Sequence, residues 1–147
     1  MYKIVLASHG NFANGILDTI HFFTKDTENV YKVILDESGI DNFQNKIISI
    51  FNEISDSNVL ILVDLFHGTP FNVCTNNIGL INGDVDIVAG VNVPIFLDAL
   101  LNSTSLSVSE EIENIKNASF EELMSVEGMN KKSATAVCEF FSKLKKE

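Results

Sequence analysis

Four short apolar runs, separated by amphipathic patterns, predict a chain in which strands and helices alternate. The runs are rich in Val, Ile and Leu and cover residues 2–7, 30–35, 59–64 and 85–90. Two of them are apolar nearly throughout, as expected of parallel strands that are covered on both faces. The order βαβαβαβα predicts a parallel sheet with right-handed crossovers. We therefore expect a flavodoxin-like or closely related doubly wound α/β domain, with a mainly parallel sheet and helices on both faces.

Polar residues and prolines mark where the predicted helices begin. Asn11 and Asp41 are placed to cap the first and second helices with their side chains. Thr69 fits the cap of the third helix and Pro70 its first position, while Pro94 lies near the start of the fourth. Each of these positions follows a predicted strand, so the helices are expected to start at the carboxyl ends of the strands.

Two of the predicted helices have a clear apolar face. In the first, Phe12, Ile16 and Ile20 recur at i, i+4 and i+8, which predicts that all three side chains are buried. The second carries an apolar stripe made of Phe43, Ile47, Ile50, Phe51 and Ile54. Both faces are expected to pack on the sheet.

The C-terminal residues are also expected to be helical, over 109–116, 120–126 and about 130–145. The last of these segments has apolar residues at i, i+3, i+4 and i+7, a single buried stripe made of Val137, Phe140, Phe141 and Leu144. We therefore expect one domain over residues 1–147, with 119–147 as a helical tail packed on it.

Composition and charge narrow the classes of function. The chain has 147 residues, a net charge of −10 and no Arg. A general nucleic-acid binder needs a basic face, and docking on anionic membranes needs basic residues too. No apolar run approaches the ~20 residues of a membrane helix. Two cysteines, Cys74 and Cys138, form no CxxC motif, which favours a reducing compartment. We expect a cytoplasmic protein.

Residues with phosphoryl-transfer chemistry follow the first and third predicted strands. A phosphoryl-accepting histidine needs one free ring nitrogen, a carboxylate on the other nitrogen, and N–H groups around the phosphoryl oxygens. His9 can be this nucleophile and Asp64 the carboxylate that orients it. The amides of Gly10, Gly68 and Thr69 can form part of the phosphate cradle, because glycine-rich turns at helix N-termini present N–H groups to anions. The arrangement requires no metal and no cofactor.

Several segments together resemble the enzyme IIA domains of the mannose-family sugar phosphotransferase system (PTS). They are SHG at 8–10, DLFHGTPFN at 64–72, AGVNVPIFLDAL at 89–100 and a C-terminal stretch beginning SFEEL at 119. The resemblance implies that the histidine matching His9 accepts phosphate from the histidine phosphocarrier protein (HPr). It also implies transfer to a IIB component, Asp64 as the partner of the histidine, and a homodimer. The transported sugar is not predicted, since the membrane components select it.

Two residues beside the expected site, His67 and Asn72, each have two interpretations. His67 occupies a position where the family usually has a glycine, and a side chain there bears on donor specificity. It is expected to be a solvent-facing loop residue. The alternative is that it supports the site residues without touching the phosphoryl group, or serves as an alternative phosphoryl acceptor. Asn72 either orders the site loop or is a plain polar residue of the first helical turn. A metal site made of His9, His67 and Asp64 is a further alternative, but the spacing matches no short metal motif.

Two other functions remain as alternatives. One is a phosphocarrier that serves dihydroxyacetone kinase. The other is a regulatory or DNA-contacting module, because LMSVEGMNKKSATAVCEFF at 123–141 resembles a helix-hairpin-helix with Gly128 at its turn. Residues 131–147 carry five Lys against two Glu, a local charge of +3. Asn130 stands where such hairpins have a second glycine, and the rest of the chain is strongly acidic, so we expect no nucleic-acid partner.

Overall fold

The computed structural model describes residues 1–117, which contain four strands and five α-helices. The strands are β1 (Lys3–His9), β2 (Val30–Leu35), β3 (Val59–Val63) and β4 (Val85–Ala89). The helices are α1 (Phe12–Ile20), α2 (Ile40–Glu53), α3 (Thr69–Asn77), α4 (Val93–Asn102) and α5 (Val108–Lys116), with a short 3₁₀ turn at Ile78–Leu80. The predicted tail, 119–147, lies outside the described residues, so its packing and the single domain over 1–147 stay predictions.

The sheet is parallel throughout, with the strand order β2-β1-β3-β4. This is the start of the flavodoxin-like order, and it confirms the doubly wound fold that the sequence predicts. The two central strands are the most apolar because both of their faces are covered. All five residues of β3 are buried, and each large side chain among them contributes about 1.5–3 kcal/mol to stability by leaving water.

Helices cover both faces of the sheet. Helices α2 and α3 pack against each other, as do α1 and α4. Val5 and Ala7 of β1 belong to the core that includes the apolar face of α2. Ile4 and Leu6 are fully buried too and, because successive strand residues alternate, they point to the opposite face. Among residues 1–117, no helix has the length and apolar character that a membrane span requires.

The start of α2 differs from the prediction. The helix begins at Ile40 after Gly39, which has φ 90°, so Asp41 lies inside the first turn and does not cap the helix. The local reason is an earlier turn, in which the carboxylate of Asp36 accepts hydrogen bonds from the backbone N–H and the hydroxyl of Ser38. The chain then needs a positive φ to enter the helix, and glycine adopts it with little cost.

Two further expectations about helices are wrong in detail. Helix α3 begins at Thr69 with Gly68 at its N-cap position, one residue earlier than predicted. In α1, Ile16 and Ile20 are buried as expected, but Phe12 is 43% exposed. Ala13 takes the buried position in the first turn instead. The apolar period of α1 therefore predicted the helix and its face correctly but placed the first buried residue wrongly.

Candidate phosphoryl-acceptor site

The candidate site lies at the point where the order of the strands reverses. From β1 the chain crosses to β2 on one side, and from β3 it crosses to β4 on the other, so a crevice opens between the carboxyl ends of β1 and β3. His9 is the last residue of β1, and Asp64 directly follows β3. Ala7 pairs with Val63 in the register of these strands. The structure thus brings His9 and Asp64 together, as the strand ends predicted.

His9 and Asp64 form a direct pair. Asp64 Oδ2 lies 2.9 Å from His9 Nδ1 and also accepts the backbone N–H of His9 at 2.9 Å. An ionised carboxylate only accepts hydrogen bonds, so Nδ1 carries the ring proton of a neutral His9 and the lone pair stays on Nε2. The His9 side chain is 41% exposed, which leaves the ring open to a reactant. Asp64 Oδ1 is buried and has no hydrogen-bond partner among residues 1–117.

The turn that carries His9 into α1 is held by a residue that sequence reasoning missed. Asn11 occupies the N-cap position of α1, but its side chain makes no cap bond. The hydroxyl of Ser8 accepts the N–H of Ala13 at 3.0 Å instead. Serine is a good capping residue, but the usual spacing to the bonded N–H is two or three residues and here it is five, so no local pattern indicates it.

Two of the three predicted cradle amides already have acceptors within the protein. The N–H of Gly10 donates to Leu35 O at 2.8 Å, and the N–H of Gly68 donates to Leu65 O at 3.2 Å. Thr69 is the first residue of α3, where backbone N–H groups lack partners inside the helix and the helix dipole is positive. Phosphate binding by Gly10, Gly68 and Thr69 stays a prediction, and the geometry favours Thr69 as the amide donor.

Gly68 is packed against the ring of His9. A Cβ atom added to Gly68 would lie 2.8 Å from His9 Cε1 and 3.2 Å from Leu65 O. The first distance is shorter than real Cβ contacts allow, so any side chain at this position would displace the ring or the loop. The backbone of residues 65–68 therefore forms one wall of the histidine site.

The loop reaches Gly68 through an unusual conformation at His67. This residue has φ 58°, the left-handed region that costs a non-glycine residue about 1–2 kcal/mol. Its ring centroid lies 3.9 Å from that of Phe66 and 5.6 Å from that of Phe71. The Asn72 side chain donates to His67 O at 3.0 Å. His67 is exposed, as predicted, and Asn72 contacts the site loop, the first of its two interpretations.

Exposed apolar side chains lie close in sequence to His9 and Asp64. Phe12 lies three residues after His9, and Leu65 and Phe66 directly follow Asp64. Leu65 is 59% exposed and Phe66 is 61% exposed. Within residues 1–117, no group of three or more His, Cys, Asp or Glu side chains is arranged to hold a metal ion. The His9 ring is thus exposed, and the chain segments that carry His9 and Asp64 also carry exposed apolar side chains.

The fold agrees with a family comparison. A family model described as the PTS system fructose IIA component, EIIA-man, matches residues 3–116. The chain belongs to this family. The resemblance to mannose-family enzyme IIA that the sequence motifs indicated is therefore confirmed.

Relatives of this enzyme IIA chain include sequences and solved structures. The "PTS system fructose-specific EIIA component" of Bacillus subtilis is 29% identical over 118 residues, 79% of this chain and 80% of the relative. A crystal structure of EIIA from Streptococcus agalactiae superposes with TM-score 0.67 at 27% identity, over 82% of this chain and 94% of that one. A PTS IIA protein associated with the fucose utilization operon of Streptococcus pneumoniae gives TM-score 0.66 at 32% identity, over 80% and 90%.

Proposed function

We propose that His9 is the phosphoryl-accepting residue of this PTS component, with HPr as donor and a IIB component as acceptor in sugar uptake. The observation that carries the proposal is the contact of 2.9 Å between His9 Nδ1 and Asp64 Oδ2 beside an exposed ring. Membership of the family supports a PTS role, and the pair supplies a residue able to perform it.

The geometry suits an in-line transfer. The lone pair on Nε2 attacks the phosphorus of the donor phosphohistidine, so a new N–P bond forms while the N–P bond of the donor breaks. The His9 ring gains positive charge during the step, and Asp64 stabilises that charge through the proton it holds on Nδ1. Transfer to the acceptor reverses these events, and His9 returns to the neutral ring.

The surroundings favour a protein as donor over a small molecule. Phosphoryl transfer depends mainly on positioning and on charge stabilisation. The His9 ring is exposed. Phe12, Leu65 and Phe66, which lie close in sequence to His9 or Asp64, are exposed too, and protein interfaces bury large apolar side chains of this kind. The Thr69 amide and hydroxyl, at the start of α3, are suited to bind the phosphoryl oxygens.

The remaining features of the proposal follow from the PTS role. The donor and acceptor proteins work in the cytoplasm, so we place this protein there. The homodimer stays part of the proposal on the strength of the family resemblance alone. Relatives carry names that refer to fructose and to fucose utilization, which supports a sugar substrate of the whole system but selects none for this chain.

Incubation with enzyme I, HPr and labelled phosphoenolpyruvate tests the proposal. We expect one labelled phosphohistidine per chain, at His9 by peptide mapping, and loss of the label on addition of a IIB component. Label that stays on HPr when this protein is added, or label on a different residue, would overturn it. Transfer to dihydroxyacetone kinase components but not to IIB would instead support the alternative phosphocarrier role.

A further inference from the structure

Asn72 holds the loop that forms one wall of the His9 site. Its side-chain Nδ2 donates to His67 O at 3.0 Å, and its backbone N–H donates to Gly68 O at 3.0 Å. One residue of α3 thus binds two successive carbonyls of the loop. The first bond depends on the asparagine side chain, whereas any residue except proline could make the second.

The carbonyl that Asn72 binds belongs to the strained residue. His67 has φ 58°, a conformation that glycine adopts readily and other residues adopt rarely. Contacts made elsewhere must therefore hold it in place. The described contacts are the Asn72 bond and the packing of the His67 ring on Phe66 and Phe71.

The position of this loop decides the position of the catalytic ring. Gly68, the next residue, lies so close to His9 Cε1 that no Cβ would fit between them. A loop that relaxed at His67 would shift Gly68 away from the ring or into it. Either movement would alter the angle at which Nε2 meets a phosphoryl group, while Asp64 still held Nδ1.

We infer that Asn72 is a positioning residue for His9, which acts by holding His67 in the left-handed conformation. The inference rests on the proposed function for its kinetic consequences. The inference also explains how a histidine is tolerated at position 67. The Asn72 side chain and the rings of Phe66 and Phe71 stabilise a backbone conformation that a glycine would adopt without these contacts.

The matched variants are Asn72→Ala and Asn77→Ala. Asn77 lies in the same helix and its Nδ2 donates to Val73 O at 2.8 Å, so both variants remove one side-chain bond to a carbonyl. The rate of phosphorylation by phosphorylated HPr should fall roughly 2- to 10-fold in Asn72→Ala, as expected for one hydrogen bond. The rate should stay at the wild-type value in Asn77→Ala. Equal rates for the two variants would overturn the inference.

A second substitution tests the mechanism. A glycine at position 67 adopts the left-handed conformation without the hydrogen bond from Asn72. The double variant His67→Gly, Asn72→Ala should therefore transfer phosphate at a rate within about twofold of His67→Gly alone. A purely structural role of Asn72 in α3 would leave the rate low in both backgrounds. Failure of the glycine to restore the rate would therefore contradict a role through His67.

A measurement on the unphosphorylated protein separates this inference from the proposed function. The ¹⁵N signals of the His9 ring report its tautomer and surroundings without any donor protein. We expect them to shift in Asn72→Ala, to stay in place in Asn77→Ala, and to return in the double variant. Unchanged His9 signals in Asn72→Ala would overturn the inference even if HPr phosphorylates the wild type. If HPr does not, the proposed function fails and these signals still decide the role of Asn72.

Discussion

Asp64, at the carboxyl end of β3, and Glu111, in α5, are two carboxylates with a similar hydrogen-bond pattern and different surroundings. Each has one bonded oxygen and one buried oxygen without a partner among residues 1–117. Asp64 Oδ2 receives two N–H groups from His9, one from the backbone and one from the ring. Glu111 Oε2 receives one N–H, from the side chain of Asn102 at 3.1 Å, although Glu111 is fully buried.

The neighbours of Glu111 oppose its ionisation. Burial and the negative charge of Asp98 raise the pKa of Glu111 to about 7, against an ordinary value of 4.5, while the Asn102 bond acts in the opposite direction. Tyr2 lies beside it and donates its hydroxyl to Ala99 O at 2.7 Å. Burial, followed by the charges of Glu111 and Asp98, also raises the pKa of Tyr2. Glu111 thus keeps its proton to a higher pH than an ordinary glutamate, up to about pH 7.

The difference shows that donors and neighbouring charges, more than burial, decide what a carboxylate can do. Asp64 meets donors on a ring that can carry positive charge, so it can orient and stabilise His9. Glu111 meets Asp98, the Tyr2 hydroxyl and one amide donor, and none of these groups carries the positive charge that an ionised carboxylate stabilises.

The largest effect is expected from His9→Ala. This variant removes the ring N–H and leaves Asp64 with the backbone N–H of residue 9 alone, so that Asp64, like Glu111, has a single N–H donor. Phosphorylation by HPr should be abolished, because the nucleophile is gone, while the fold stays intact. His21→Ala is the matched control, since His21 ends α1 and only its backbone N–H makes a described bond. Stoichiometric labelling of His9→Ala would assign the phosphate to a different residue, with His67 the first to test.

Asp64→Asn keeps a side chain that can bond the ring but removes its charge. We expect a folded protein whose transfer rate falls by roughly 10- to 10⁴-fold, because the amide can select the wrong tautomer and stabilises the charged ring poorly. Glu111→Gln makes the same chemical change at the other carboxylate and should leave the rate unchanged. Rapid-quench measurement of phosphate transfer compares the two, and a wild-type rate in Asp64→Asn would remove Asp64 from the mechanism.

Gly68→Ala changes neither Asp64 nor Glu111. It is expected to displace the His9 ring, which is hydrogen-bonded to Asp64. The added Cβ would overlap His9 Cε1, and a displacement of this kind can cost roughly 10- to 100-fold in transfer rate. Gly15→Ala is the control, because nothing lies within 4 Å of its added Cβ and the residue is inside α1. That control should keep the rate and gain about 0.5–1 kcal/mol of stability. Similar rates in both variants would mean that the wall at Gly68 does not position the ring.

The smallest effect concerns the pH dependence of stability. Below about pH 4.5 Glu111 is protonated in both states and contributes nothing. From there to about pH 7 the unfolded chain releases the proton and the folded chain keeps it, so stability falls as pH rises and the loss is complete above pH 7. Glu111→Gln should remove this loss and gain about 1–3 kcal/mol at about pH 8, measured by chemical denaturation.

Glu110→Gln provides a control of opposite sign on the same helix. Glu110 Oε2 accepts the backbone N–H of Ser107 at 2.8 Å and also the Ser107 hydroxyl, and these bonds lower the pKa of Glu110. Its contribution is present above the unfolded pKa and is lost as pH falls through the folded value. The variant should therefore be less stable than wild type at neutral pH and equal to it in acid. If the change in unfolding free energy relative to wild type had the same pH dependence in Glu111→Gln and Glu110→Gln, the opposite pKa shifts of the two carboxylates would be contradicted.

Local patterns in the sequence predicted most of the fold and the chemical centre of the site. The prediction for β2 covers the same residues that form the strand. The predictions for β3 and β4 differ by one residue at the C-terminal end, and the prediction for β1 differs by one residue at its start and two at its end. The Val- and Ile-rich runs need burial on both faces, which a parallel sheet provides. Because parallel strands end at one edge of the sheet, the sequence alone was enough to pair His9 with Asp64.

The tertiary structure decided the rest, because it depends on which distant segments lie side by side. The amide of Gly10 is taken by Leu35 since β2 pairs with β1, and no pattern around Gly10 indicates this. The left-handed His67 depends on Phe71 and Asn72 of the following helix. Glu111 looks like an ordinary helix residue until burial and Asp98 raise its pKa. Sequence by itself determined the elements and the proposed reacting pair, whereas contacts between elements determined the donors, the strain and the charge around them.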